Sequence, residues 1–241
     1  MRRARPVAKA PGRSLGPLEQ TFDSAYTEAM APHLQASLLD LPTAGVPVLG
    51  DLASGLRRTV LSHGAWVDVL PGWVSGSDDL FVRLTETVPW HAERRQMYER
   101  VVDVPRLLSW YGEGAALPDP LLMQARDALT GHYRELPGGP FCTAGLCYYR
   151  DGNDSVAWHG DTIGRSRWQD TLVAIVSFGA ARRLSLRPRD GRAATLGFNL
   201  GRGDLIVMGG SCQRTWEHAI TKTAKPVGPR ISVQFRQAGV R

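Results

Sequence analysis

Gly203-Asp204-Leu205-Ile206-Val207-Met208-Gly209-Gly210 sets a short apolar run between two turn signals. A run of this length, bounded this way, reads as a strand covered on both faces. Leu172 to Val176 repeats the pattern between polar neighbours. Leu184 to Arg187 alternates, and Ile231, Val233 and Phe235 alternate with Arg230, Ser232, Gln234 and Arg236. Ala144 to Tyr149 is followed by the turn Arg150-Asp151-Gly152-Asn153-Asp154. Many short strands with turn residues between them predict a sandwich or barrel. The expectation is a mainly β chain: a jelly-roll core with flanking helices ahead of it.

Toward the N-terminus the pattern changes. Pro137-Gly138-Gly139-Pro140 is a firm break, and it ends a helix predicted over roughly Pro120 to Leu136. Leu18, Phe22, Tyr26, Met30, Leu34, Leu38 and Leu41 recur at helical spacing and predict a second helix there. Between residues 46 and 112 the pattern is mixed, with aromatics and arginines interleaved from Trp90 to Tyr111. The first seventeen residues carry Arg2, Arg3, Arg5, Lys9 and Arg13 and no acid, among prolines and glycines. Such a segment cannot bury enough apolar surface to fold and is predicted to be disordered. The chain thus divides into a basic tail (1–17), an N-terminal helical extension (18–140) and a jelly-roll core (141–241), the last two forming one compact unit.

At 241 residues the chain buries a core without needing disulfides. Its three cysteines, Cys142, Cys147 and Cys212, form no CxxC pair, which argues against a secreted disulfide scaffold and for a reducing cytoplasm. No apolar run approaches the roughly 20 residues of a membrane span, and the basic N-terminus lacks a signal peptide's apolar core. The net charge of +6 owes much to the tail. That tail either tethers the protein to nucleic acid or only adds solubility.

Trp158-His159-Gly160-Asp161 carries the strongest chemical signal. On a strand, residues i and i+2 face one side, so His159 and Asp161 point together. His218, in Trp216-Glu217-His218, is the best third partner. Two histidines and one carboxylate on one face of an octahedral ion match non-haem iron(II) oxygenases. An HxD pair alone also arises by chance. The other histidines, His33, His63, His91 and His132, have no partner at ligand spacing. On the last strand Arg230, Ser232, Gln234 and Arg236 share a face. Either the arginines clamp a carboxylate with their planar forks, or they lie in solvent. The two are about 20 Å apart along an extended strand, which favours Arg230 for a small ligand.

These segments together resemble the AlkB family of nucleic-acid dioxygenases, over roughly Trp66 to Arg236. The matching stretches are Tyr149-Arg150-Asp151-Gly152, Asp154 through Asp161, Val176-Ser177-Phe178-Gly179-Ala180, Gly203 through Gly210, Trp216-Glu217-His218, and Pro229-Arg230 through Phe235-Arg236. The resemblance implies a double-stranded β-helix core, with iron(II) held by His159, Asp161 and His218. It implies 2-oxoglutarate and O2 as co-substrates, the former reaching Arg230 with Tyr149 and Arg236 nearby. The implied reaction hydroxylates an N-alkyl group on a base, which then leaves as an aldehyde. The implied partner is DNA or RNA carrying alkylated bases, met by a monomer, and the base must leave its stack to react.

The chain departs from the family pattern at three places. Cys147 and Ser232 stand where relatives carry Asn, which implies rearranged contacts to 2-oxoglutarate. Ile163 stands where many repair members carry an acid, which implies a pocket better matched to a neutral base than to a cationic one. Arg165 and Arg167 could neutralise phosphates or simply be solvated. Trp90, Trp110 and Tyr111 could form a nucleotide-recognition lid on which a base stacks, or belong to the core. Two further readings remain at this point: a hydroxylase of a protein or small molecule, and a non-catalytic nucleic-acid binder.

Overall fold

The computed structural model describes residues 45–97, 100–161, 168–192 and 194–240. The basic tail, the helix expected from Leu18 to Leu41, and Ile163, Arg165 and Arg167 lie outside the described residues. In chain order the elements begin with β1 (Val48–Leu49), α1 (Leu52–Gly55), β2 (Arg57–Val60), β3 (Ala65–Leu70), β4 (Val74–Ser75) and α2 (Ser77–Thr87). They continue with β5 (His91–Met97), β6 (Arg100–Tyr111), α3 (Pro120–His132), β7 (Phe141–Tyr149), β8 (Val156–His159) and β9 (Val173–Gly179). The chain closes with β10 (Arg182–Pro188), β11 (Leu196–Leu200), β12 (Asp204–Gly210), α4 (Cys212–Thr215), β13 (Trp216–Ile220) and β14 (Arg230–Gln237).

An eight-stranded sheet runs in the order β2-β3-β12-β9-β14-β7-β6-β5, and a four-stranded sheet in the order β11-β10-β13-β8. Their pairings are antiparallel. This is the jelly roll expected from the short strands and their turns.

The apolar runs of β9 and β12 follow from cover on both faces of the large sheet. Ala174, Val176, Phe178, Leu205 and Val207 join a cluster with Leu80 and Leu84 of α2 and Leu122 and Leu129 of α3. Val173, Ile175, Ile206 and Met208 point the other way, into a cluster with Leu184, Leu186, Trp216 and Ile220 of the small sheet. Each fully buried side chain of this size contributes about 1.5–3 kcal/mol, so a charge at Val176 would break the layer. The helix α3 starts where Asp119 accepts from the Leu121 N–H at 2.9 Å, with Pro120 at its first position, where the missing N–H costs nothing. Asp119 also receives Arg83 Nη2 of α2 at 2.9 Å, so one carboxylate caps α3 and ties it to its neighbour.

The stretch expected to be a helical extension differs from that reading. Its described part carries β1 to β6 as well as α1 to α3, and β3 and β6 are paired on both edges within the large sheet. The strand character was hidden because β2 is exposed throughout and β5 opens with the exposed His91 and Ala92; neither shows an apolar period. No helix among the described residues is long and apolar enough to cross a membrane.

Candidate metal centre

Strand β8 ends at His159, and β13 lies beside it in a register that places His218 opposite His159. The two imidazoles have centroids 4.2 Å apart. Asp161 lies just past the strand end, so its side chain is aimed by the turn at Gly160 rather than by the strand pleat. A Cβ at Gly160 would collide with the Gln213 carbonyl of α4, and the Gln213 side chain accepts the Asp161 N–H at 2.9 Å. Gln213 therefore pins the backbone that carries the carboxylate. One ligand atom each from His159, Asp161 and His218 lies within 4.8 Å of the others. His159 Nδ1 sits 2.8 Å from the Ala157 carbonyl. With Nδ1 donating there, Nε2 is left as the free lone pair, the arrangement common to metal-binding histidines.

The charge state suits a metal ion. Burial pushes the Asp161 carboxyl up, but Arg236 and the two histidines outweigh it and hold the group down to about 2. Burial, followed by the neighbouring His159, pushes His218 down to about 3. At neutral pH the site thus presents an ionised carboxylate and a neutral His218 imidazole, as metal binding requires. Arg236 Nη2 donates to Asp161 Oδ1 at 3.3 Å. It lies equally near Oδ2, yet Oδ2 is buried and accepts no hydrogen bond from the described residues. A buried carboxylate oxygen without a donor is costly and is available to a cation.

A small cavity of about 60 Å³ adjoins the triad, bordered by Tyr149, Cys147, Ser232, Gln234 and both arginines of β14. This is several times the roughly 10–15 Å³ that one water needs. Arg230 is only 1 % exposed, because β14 has strands on both sides and the small sheet above it, and the solvent-facing alternative does not hold. Its Nη2 donates to Ser177 Oγ at 2.6 Å, and its guanidinium lies 5.2 Å from the Tyr149 ring. Among the described residues, Nε and Nη1 of Arg230 are buried with no hydrogen-bond partner. A fork of unsatisfied, charged N–H groups in a small, buried space fits a carboxylate ligand. Burial and the neighbouring Cys147 push the Tyr149 phenol up to about 12, against the pull of Arg106 and Arg230, so it enters the cavity as a neutral hydroxyl. The Cys147 thiol lies 3.6 Å from Gln234 Oε1, and Gln234 Nε2 donates to Ser232 Oγ at 2.7 Å.

A cavity of about 1250 Å³ also borders the triad and shares His159, Gln234 and Arg236 with the small one. Trp110, Tyr111, Trp158 and Arg106 are among its walls, and Trp110 is 43 % exposed. Arg187 stacks 4.2 Å over Trp158 and is held by Glu217 at 2.9 Å. Trp90 is elsewhere: its ring tilts against Tyr148 at 5.3 Å and its indole N–H donates to the Thr85 carbonyl at 3.2 Å. Of the three aromatics considered for a lid, Trp110 and Tyr111 border the cavity and Trp90 packs. Gln213 carried no local signal in the sequence, and Arg106 was one of several arginines interleaved with aromatics between Trp90 and Tyr111. Arg106 bridges both cavities, and its position follows only from the pairing of β6 with β7.

A family model described as the 2OG-Fe(II) oxygenase superfamily matches residues 67–236. Among curated proteins, the chain is 30 % identical to the alpha-ketoglutarate-dependent dioxygenase alkB homolog 3 of Bos taurus, over 80 % of this chain and 70 % of that protein. It is 31 % identical to the DNA oxidative demethylase ALKBH2 of Arabidopsis thaliana over 48 % of this chain and 43 % of that one. It is 41 % identical to an uncharacterized protein, R406, of Acanthamoeba polyphaga mimivirus, over 44 % of this chain and 54 % of that protein, so that match spans about half of the viral protein's length. In fold, the solved structure of OsALKBH1 aligns with a TM-score of 0.53 at 16 % identity, covering 75 % of this chain and all of that one. The chain belongs to the 2OG-Fe(II) oxygenase superfamily and, within it, to the AlkB-type iron(II)- and 2-oxoglutarate-dependent dioxygenases.

Proposed function

We propose that this dioxygenase, which uses iron(II), 2-oxoglutarate and O2, oxidatively dealkylates nucleobases in DNA or RNA. The observation that carries the reading is the position of the triad where a small, arginine-bearing cavity adjoins a large, aromatic-walled one. His159, Asp161 and His218 would hold the iron, using the undonated Asp161 oxygen and the free histidine nitrogens. Arg230 would receive a 2-oxoglutarate carboxylate on its N–H groups, with Tyr149 beside it; where relatives carry Asn, Cys147 and Ser232 leave Gln234 as the amide bordering that cavity. The bound iron, with O2 and 2-oxoglutarate, supplies the oxidation of an alkyl C–H bond.

This chain's own residues bind and exclude. Trp110 and Trp158 offer flat apolar faces to an extruded base, and stacking of this kind tolerates any base. The buried layer around Ile175, Leu184 and Ile220 keeps water from the co-substrate end. The likeness to a DNA oxidative demethylase and to an alkB homolog supports the substrate class. The test is mass spectrometry of singly methylated DNA and RNA oligonucleotides after incubation with iron(II), ascorbate and 2-oxoglutarate. Loss of one methyl mass with formation of succinate is expected. Succinate formation with every oligonucleotide unchanged would overturn the nucleic-acid substrate and point to a protein or small molecule.

A further inference from the structure

Gly145 occupies the middle of β7, opposite Trp110 on β6 and opposite Gln234 on β14. Glycine weakens a strand interior, and where it stands there something else approaches closely. A Cβ at this position would meet only side chains: Arg236 Nη1 at 2.8 Å, Gln234 Oε1 at 3.3 Å and Trp110 Cε3 at 3.4 Å. Residues from both neighbouring strands therefore fill the space that a side chain on β7 would take. Through that notch the Arg236 guanidinium lies 5.9 Å from the Trp110 ring and 3.3 Å from the Asp161 carboxylate.

We propose that Gly145 is a positioning residue for the metal centre, because its missing side chain lets one guanidinium join Trp110 on the large cavity's wall to Asp161 in the triad. The inference rests on the metal-centre reading above. It concerns an interaction behind the ligand, where a carboxylate is oriented by the group that hydrogen-bonds it, and loss of such a partner weakens metal binding by about 10–100-fold. The atom that a methyl group would displace is the tip of a flexible side chain, so Gly145→Ala keeps the backbone and moves Arg236.

The experiment titrates Co(II) alone, anaerobically, into the wild-type chain, Gly145→Ala, Arg236→Gln and the double variant, with thermal unfolding of each metal-free protein alongside. Gly145→Ala is expected to fold, to lose no more metal-free stability than Arg236→Gln, which breaks the same buried ion pair, and to bind Co(II) about tenfold more weakly. Arg236→Gln should weaken binding similarly, and the double variant should be no weaker than either single one. Gly145→Ser carries the same obstruction and repeats the cycle if the alanine variant does not fold. Unchanged Co(II) affinity in Gly145→Ala, or effects that multiply in the double variant, overturns the proposal while leaving the metal centre standing. A wild-type chain that does not bind Co(II) overturns both.

Discussion

Around Arg230 the protein is closed: the guanidinium is 1 % exposed, its neighbours are other buried side chains, and its free N–H groups face a cavity of about 60 Å³. Around Trp110, on the cavity of about 1250 Å³ that borders the same triad, the protein is open, with 43 % of the residue exposed. The closed end is specified by charge, because unsatisfied buried cations tolerate few ligands and few substitutions. The open end is specified by shape and flat apolar area, which tolerate many. A co-substrate that never changes suits the first, and a variable substrate suits the second.

The comparison breaks most completely at the point the two ends share. Replacing Asp161 or His218 by Ala should abolish turnover and reduce Co(II) binding to background, because two remaining ligands hold the ion poorly; normal binding in either variant would refute the triad. Arg230→Ala should act at the closed end alone. Truncating one partner of a buried charged pair costs about 2–5 kcal/mol, roughly thirtyfold or more in the 2-oxoglutarate needed for half-maximal succinate formation. Oligonucleotide affinity should not change, and an unchanged 2-oxoglutarate requirement would remove Arg230 from that role.

Trp110→Ala should do the reverse. Loss of one stacking face is worth about 1–3 kcal/mol, to be read as weaker oligonucleotide binding by fluorescence anisotropy with the 2-oxoglutarate requirement intact. Trp90→Ala, at a packed position, should lower the melting temperature and leave that affinity alone; the opposite pattern would exchange the two tryptophans' roles. Apart from turnover and ligand binding stands acid stability without metal. His218 titrates at about 3 when folded, against an ordinary 6.5. Below 6.5 the unfolded chain therefore takes a proton that the folded one refuses, and stability falls as pH drops toward 3. Asp161, held at about 2 against 3.8, stabilises the fold above 3.8, and this contribution is lost between 3.8 and 2. Urea midpoints measured from pH 7 to 4 should fall for wild type and flatten for His218→Leu; equal slopes would show that His218 is not the group responsible.

The closed end was legible in the sequence because its arginines share one strand and two of its metal ligands share one short motif, while Tyr149, Cys147 and His218 join them by strand pairing. The alternation of β14 put Arg230 and Arg236 on one face, and His159 and Asp161 lie two residues apart. The open end was not, because its walls come from pairing. Nothing near Trp90 and Trp110 in the chain distinguishes them; the first falls after the end of α2 and packs on Tyr148, while the second lies beside Gly145 in the register of β6 with β7. Gln213 reaches the Asp161 N–H from 52 residues away, a distance that no local pattern reports. Of the residues weighed as substrate contacts, Ile163, Arg165 and Arg167 lie outside the described residues.

The place of β14 also orders events in time. It is the latest strand to leave the ribosome among those described, yet it sits between β9 and β7 at the centre of the large sheet. Until it emerges, β7 and β9 have no common partner, and each presents an unpaired edge of the kind that recruits other chains. Pairings this distant in sequence are slow to form. Synthesis halted before Arg230 would therefore release a chain with its sheet split down the middle, a ready client for chaperones, and the arginines that complete the co-substrate end would arrive in the same step that closes the sheet.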